Sequence, residues 1–325
     1  MSDNIEMQNA YKYYQTDNNY PQSSQLNINS NNVDTLNSNN SLCGESSQII
    51  QNFYKVDIKE IGPTTQDIKE TIFEEDLNIV INELINLCFE EVLNKKQFVL
   101  DYFNIHKINL QEIYNWILNN ETTSSNSIYL LGYFNYHGIG TNINKKNAFE
   151  LYKKAADLGN LSGMCNLGRC YELGDGIGVN KQKAFELYQK VADLGFAYGI
   201  YYLGRCYKKG IGTNIDTKKA FELYKKAADL GHLYGMNNLG CCYDGGIGTD
   251  VNKQKAFELF QKAANLGNDM AQYNIALMYK SGDGIEKNVD QAIYWFKKSA
   301  EQGDQEAQNK LNKLLKINEP YNHFF

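Results

Sequence analysis

The chain has 325 residues, long enough for two ordinary domains, and carries a net charge of −6. That balance excludes nucleic acid as the main partner, because phosphate binding needs concentrated Lys and Arg. No apolar run approaches the length of a membrane-spanning helix and the first residues lack the basic and apolar regions of a signal peptide, so no membrane insertion is expected. The expected location is the cytoplasm, with the nucleus as an alternative, where the 7 cysteines stay reduced.

Residues 1–63 open the chain. Their middle, 18–41, is dominated by Asn and Ser, too polar to offset the entropy of ordering a backbone, and predicts a disordered leader. Residues 64–120 follow as a helical segment. Phe73, Leu77, Val80, Leu84 and Leu87 recur at three- and four-residue steps, the period of an amphipathic helix. A second helix is expected over 98–103. A third starts after Asn109, a candidate cap with Glu112 three residues on, and buries Ile113, Trp116 and Ile117.

From 127 to 317 the sequence repeats itself. Ala148, Ala184, Ala220, Ala256 and Ala292 are spaced 36 residues apart (184 − 148 = 36, and so onward). After each alanine comes Phe-Glu-Leu-Tyr or a variant, ending in Tyr152, Tyr188, Tyr224, Phe260 and Phe296. Before it come glycine pairs such as Gly174/Gly176 and Gly210/Gly212, and further upstream Leu-Gly at 131–132, 167–168, 203–204 and 239–240. The last copy has Ile275-Ala276 there. A fixed period between 20 and 50 residues signals a solenoid. In the second copy, helix A is predicted over 161–173 and ends in the glycine loop. Asn180 caps helix B, which runs to about 194. Asn144, Asp216, Asn252 and Asn288 are the matching caps. Ala184, Leu187, Tyr188, Val191 and Ala192 form the buried stripe of helix B, while Glu186 and Lys190 decorate its outer face. Helix pairs of this kind bury their apolar faces only by stacking. The chain is closed by a C-terminal capping helix within the array and by a tail at 318–325.

This pattern resembles the Sel-one-like repeat family, relatives of the tetratricopeptide repeat with a longer glycine-bearing loop. The residues carrying the likeness are Leu167-Gly168, Tyr171, Gly174, Gly176, Ala184 and Lys190-Val191-Ala192 with their equivalents. The resemblance implies an all-α fold, a right-handed α/α superhelical solenoid of about five 36-residue helix-turn-helix repeats. It also implies a non-enzymatic adaptor or scaffold that binds a protein or peptide partner. Some relatives follow a protein-kinase domain in the same chain. No kinase motif is present here, so the alternative is a regulatory partner of a kinase or other signalling enzyme on another chain. The family's usual Ala at the start of helix A is Gly163, Gly199 and Gly235 in the middle copies, a departure expected to loosen them.

Candidate chemistry reduces to repeat architecture. The run Gly174-Asp175-Gly176-Ile177-Gly178 lacks the strand of a dinucleotide site and the Gly-Lys-Ser/Thr of a P-loop. Cys170, Cys206 and Cys242 follow the 36-residue period and read as packing residues. His106, His137, His232 and His323 have no zinc-ligand spacing, and no catalytic set shares a face, so no cofactor is expected. By analogy with related superhelices, helix A lines the concave groove. Its expected partner-binding residues are Tyr129, Tyr133, Arg169, Tyr201, Arg205, Lys208, Tyr234, Asn237, Tyr273 and Lys280, with Cys165 and Cys241 beside them. Tyr and Arg are over-represented in interface hot spots. As exposed groove residues, Tyr201 and Arg205 are expected to matter for binding and little for stability.

Overall fold

The computed structural model describes residues 99–100, 104, 109–119 and 124–318, all of whose regular structure is helical. The expectations for the leader, for the helix over 73–87 and for most of the tail lie outside the described residues. So does the helix over 98–103, apart from residues 99 and 100, which are helical. Among the described residues the first long helix, α1, is Leu110–Asn119. The A helices are α2 (Ser125–His137), α4 (Leu161–Leu173), α6 (Ala197–Lys209), α8 (Leu233–Gly245) and α10 (Asp269–Ser281). They alternate with the B helices α3 (Lys145–Asp157), α5 (Lys181–Asp193), α7 (Thr217–Asp229), α9 (Lys253–Asn265) and α11 (Val289–Glu301). The last, α12, is Gln305–Asn318. Each A helix from α4 to α10 packs on the B helix of its own repeat and on that of the preceding one, and α12 packs on α11.

The caps act where the sequence places them. Asn144, Asn180, Asp216, Asn252 and Asn288 each accept the backbone N–H three residues on at 2.9–3.0 Å, satisfying a donor at the start of helix B. Their own N–H groups donate back to the carbonyls of residues 135, 171, 207, 243 and 279 at 2.7–2.9 Å. One residue therefore clips the loop to both helices. Glu186 accepts from Gln182 at 3.2 Å and Glu258 from Gln254 at 3.1 Å, each four residues earlier on the same helix.

The two loop glycines have separate causes. Gly210 ends α6 in the left-handed region (φ 68°) and its N–H donates to the Cys206 carbonyl. Gly212, also left-handed at φ 64°, sits against the first residue of the preceding B helix. A Cβ there would lie 2.2 Å from the Lys181 carbonyl oxygen, so no side chain fits. Gly140 presses in the same way on Leu110, the first residue of α1 (2.5 Å). Thus α1 takes the place of a B helix ahead of the first repeat. Ile113 and Ile117 face the core as predicted, and Asn109 accepts the Gln111 N–H at 2.9 Å while its side-chain amide donates to Glu112 at 3.3 Å.

Within each of the first four repeats the Leu-Gly glycine receives the aromatic ring of helix B. A Cβ on Gly204 would lie 2.9 Å from Tyr224, and one on Gly168 2.8 Å from Tyr188. The rings of Tyr188, Tyr224, Phe260 and Phe296 are fully buried, a contribution of about 1.5–3 kcal/mol for each phenylalanine. Gly163, Gly199 and Gly235 do not loosen the array. A Cβ on Gly199 would lie 2.6 Å from Val191 of the preceding B helix, so neighbouring repeats approach closely at these positions. Gly204→Leu is accordingly expected to cost about 1–3 kcal/mol through overpacking against Tyr224. Urea unfolding measures it, and an unchanged midpoint would show that Tyr224 moves aside without cost.

Candidate interaction surface

Successive A helices are joined by a ladder of polar contacts. Asn160 donates to Asn126 at 2.7 Å, Asn166 to the Tyr129 hydroxyl at 3.5 Å, Lys208 to Asn238 at 3.4 Å and Asn274 to Asn237 at 2.9 Å. The central rung is ionic. Arg205 on α6 meets Glu172 on α4 at 3.3 Å, with side chains only 10% and 7% exposed. Glu172 also accepts the Tyr188 hydroxyl at 2.9 Å, and the Arg205 guanidinium lies 5.1 Å from the Tyr202 ring centre. Beside this rung is an aromatic cluster. Tyr201 stacks on His232 with centroids 4.6 Å apart and lies 6.0 Å from Tyr234.

His232 has a structural task that the sequence reading missed. Its Nδ1 accepts the Gly235 N–H at 3.0 Å, capping α8 as Asn160 caps α4 and Asn268 caps α10. The acceptor nitrogen must be deprotonated, so the ring is neutral with its proton on Nε2. Burial pushes its pKa down to about 3. The signal for this cap was present in the sequence: 124, 160, 196, 232, 268 and 304 form a column of Ser, Asn, Phe, His, Asn and Asp. Only Phe196 has no side-chain hydrogen bond at the cap.

The expected groove residues divide into two sets. Tyr129, Tyr133, Tyr201, Arg205, Asn237 and Tyr273 are buried, as are Cys165 and Cys241. This corrects the expectation of exposed side chains: consecutive A helices stand close enough for these groups to interlock between repeats. Tyr273, for example, packs edge-on against Phe296 with centroids 5.6 Å apart. Arg169, Lys208, Tyr234 and Lys280 are half-exposed and lie on four successive A helices. Burial also raises the thiol pKa values of Cys170 and Cys206 to about 12 and of Cys242 to about 11, which makes them packing groups rather than nucleophiles. Among the described residues no helix is long and apolar enough to cross a membrane, and no cluster of His, Cys, Asp and Glu is placed to hold a metal ion.

Two-helix units in fixed register, each sharing its core with the next, define an α-solenoid. The family model for the Sel1 repeat matches residues 125–160, 161–196, 197–232, 233–268 and 269–304, which is more than half of the chain. The chain belongs to the Sel1-repeat family. Among solved structures it is similar to a Sel1 repeat protein from Oxalobacter formigenes, with 28% identity and a TM-score of 0.57, over 68% of this chain and 87% of that one. It is also similar to c5321, a protective antigen of uropathogenic Escherichia coli with an SLR fold. That likeness has 28% identity and a TM-score of 0.53, over 73% of this chain and about half (52%) of the antigen. No curated protein matches the sequence. Proteins of this family generally mediate protein–protein interaction on a non-catalytic repeat scaffold.

Proposed function

We propose that this chain is an adaptor or scaffold that binds a protein or peptide along the face formed by successive A helices. The observation that carries this reading is the placement of Arg169, Lys208, Tyr234 and Lys280, half-exposed on four neighbouring repeats. Solenoids use such extended surfaces for recognition, and an aromatic ring flanked by cations suits a hot-spot role. The buried members of the face hold the repeats in register beneath them.

The proposal is tested by capturing a partner with the full chain and measuring its affinity for variants. Arg169→Ala, Lys208→Ala, Tyr234→Ala and Lys280→Ala combined are expected to weaken binding by about tenfold or more. Glu186→Ala with Lys190→Ala on the outer face of α5 is expected to leave it unchanged. If the outer-face pair abolishes binding while the four A-helix changes do not, the partner uses the other surface.

A further inference from the structure

The central A helix, α6, breaks a local rule that its equivalents keep. Its N-cap is Phe196, which offers the helix no side-chain hydrogen bond. At the same position Ser124, Asn160, His232, Asn268 and Asp304 each accept a backbone N–H of the helix they precede. Losing a cap destabilises a helix, and natural chains keep such local faults mainly at functional sites. The ring that replaces the cap is half-buried and stands two residues after Leu194, which is 60% exposed. Exposed leucines recur at that position in the first four repeats, as Leu158, Leu194, Leu230 and Leu266, but the phenylalanine occurs once. Tyr198, also half-buried, follows on α6 with its ring edge-on to Tyr202 at 4.9 Å. The other end of α6 is cationic. It closes with Lys208 and Lys209, where the other A helices carry Tyr136–His137, Glu172–Leu173, Asp244–Gly245 and Lys280–Ser281.

We infer that α6 is a track for one extended peptide segment of a partner, with an apolar side chain against Phe196 and Tyr198 and carboxylates against Lys208 and Lys209. The inference rests on the adaptor reading above and adds the chemistry of the partner. Tyr198, Arg205 and Lys209 stand at i, i+7 and i+11, on one stripe of the helix. From Tyr198 to Lys209 that stripe runs about 16 Å, which about five residues of extended chain cover. Charge complementarity sets the sign of the segment. The carboxylates at the ends of the neighbouring A helices are held in ion pairs, Glu172 by Arg205 at 3.3 Å and Asp244 by Lys253 at 2.8 Å. The charge that α6 itself brings to this end is positive, and Lys208 reaches across to Asn238 of α8 at 3.4 Å, which keeps its ammonium on the A-helix face. An apolar anchor at one end and a cationic clamp at the other therefore select an acidic peptide with one large apolar residue.

The test pans random dodecapeptides displayed on phage against the full chain and then measures the enriched peptides, made synthetically, against variants. Enriched peptides are expected to carry an aromatic or branched aliphatic residue with acidic residues about five positions away. Phe196→Asn, which supplies a cap of the kind Asn160 and Asn268 form, is expected to weaken them by about tenfold or more while Tm does not fall. Lys208→Gln with Lys209→Gln is expected to weaken them by a similar factor. The same charge change on the exposed outer face of α7, Lys225→Gln with Lys226→Gln, is expected to leave affinity unchanged at 0.15 M salt, where charges more than about 8 Å away are screened. Neutral or basic peptides that bind through the A-helix face overturn this inference and leave the adaptor reading standing. Peptides that the outer-face changes release and the α6 changes do not overturn both. A library that yields no peptide overturns the inference, as does a fall in Tm for Phe196→Asn, which would make the ring a packing group. A natural chain that sediments as a dimer and becomes a monomer on Phe196→Asn overturns it too, because a second copy then occupies the track.

Discussion

Arg205→Ala is expected to destabilise the protein by about 3–5 kcal/mol, the loss that follows when one partner of a buried ion pair is removed. The guanidinium reaches from α6 to Glu172 on α4, and both side chains are nearly inaccessible. Without it, Glu172 keeps a hydrogen bond from Tyr188 at 2.9 Å but loses its cation in a poorly solvated place. The Tyr202 ring under the guanidinium loses a partner as well. Replacing both members, Arg205→Met with Glu172→Gln, is expected to recover most of the loss, because no charge then remains buried and the Tyr188 hydroxyl still has an acceptor. Urea unfolding of Arg205→Met, Glu172→Gln and the double variant measures the coupling. A single Arg205→Ala variant within 1 kcal/mol of the natural chain would mean that Glu172 is rehydrated at no cost, and that the A-helix face is far more open than its burial indicates.

That expected loss also shows where sequence reasoning stopped. The repeats, both helices of each copy and all five helix-B caps were legible, because each depends on contacts within a few residues or on one strict 36-residue period. Gly204 was legible for the same reason: a glycine recurring on an apolar face marks a close approach. The A-helix face was not. Its contacts join residues 30, 33, 34 and 37 apart, as in Lys208–Asn238, Arg205–Glu172, Asn160–Asn126 and Asn274–Asn237. None of them falls on the 36-residue column, since neighbouring A helices meet along diagonals set by the packing of whole repeats. Reading each column by itself makes Tyr201, Arg205 and Asn237 look like surface residues. The distance between adjacent A helices, a tertiary quantity, turns them into core. Four half-exposed side chains are what remains of the expected site, and those four carry the functional proposal.

Acid is expected to weaken the protein through His232. In the native state its pKa lies near 3 because the ring is buried, while the unfolded chain holds histidine near 6.5. Between those values the unfolded state binds the proton and the native state does not. The contribution is therefore fully present above about pH 6.5 and is lost as the pH falls toward 3. At pH 4 the loss amounts to about 3 kcal/mol, from 2.5 pH units at 1.36 kcal/mol each. Protonation would also remove the acceptor that caps α8 at Gly235 and would place a cation against Tyr201 in the centre of the array. His232→Asn keeps a cap of the kind that Asn160 and Asn268 already provide and does not titrate. Urea unfolding at pH 7 and pH 4 should therefore show the natural chain losing about 3 kcal/mol more than His232→Asn over that interval. Equal losses in the two chains would mean that the imidazole is solvated in the native state, and that its cap on α8 opens readily to water.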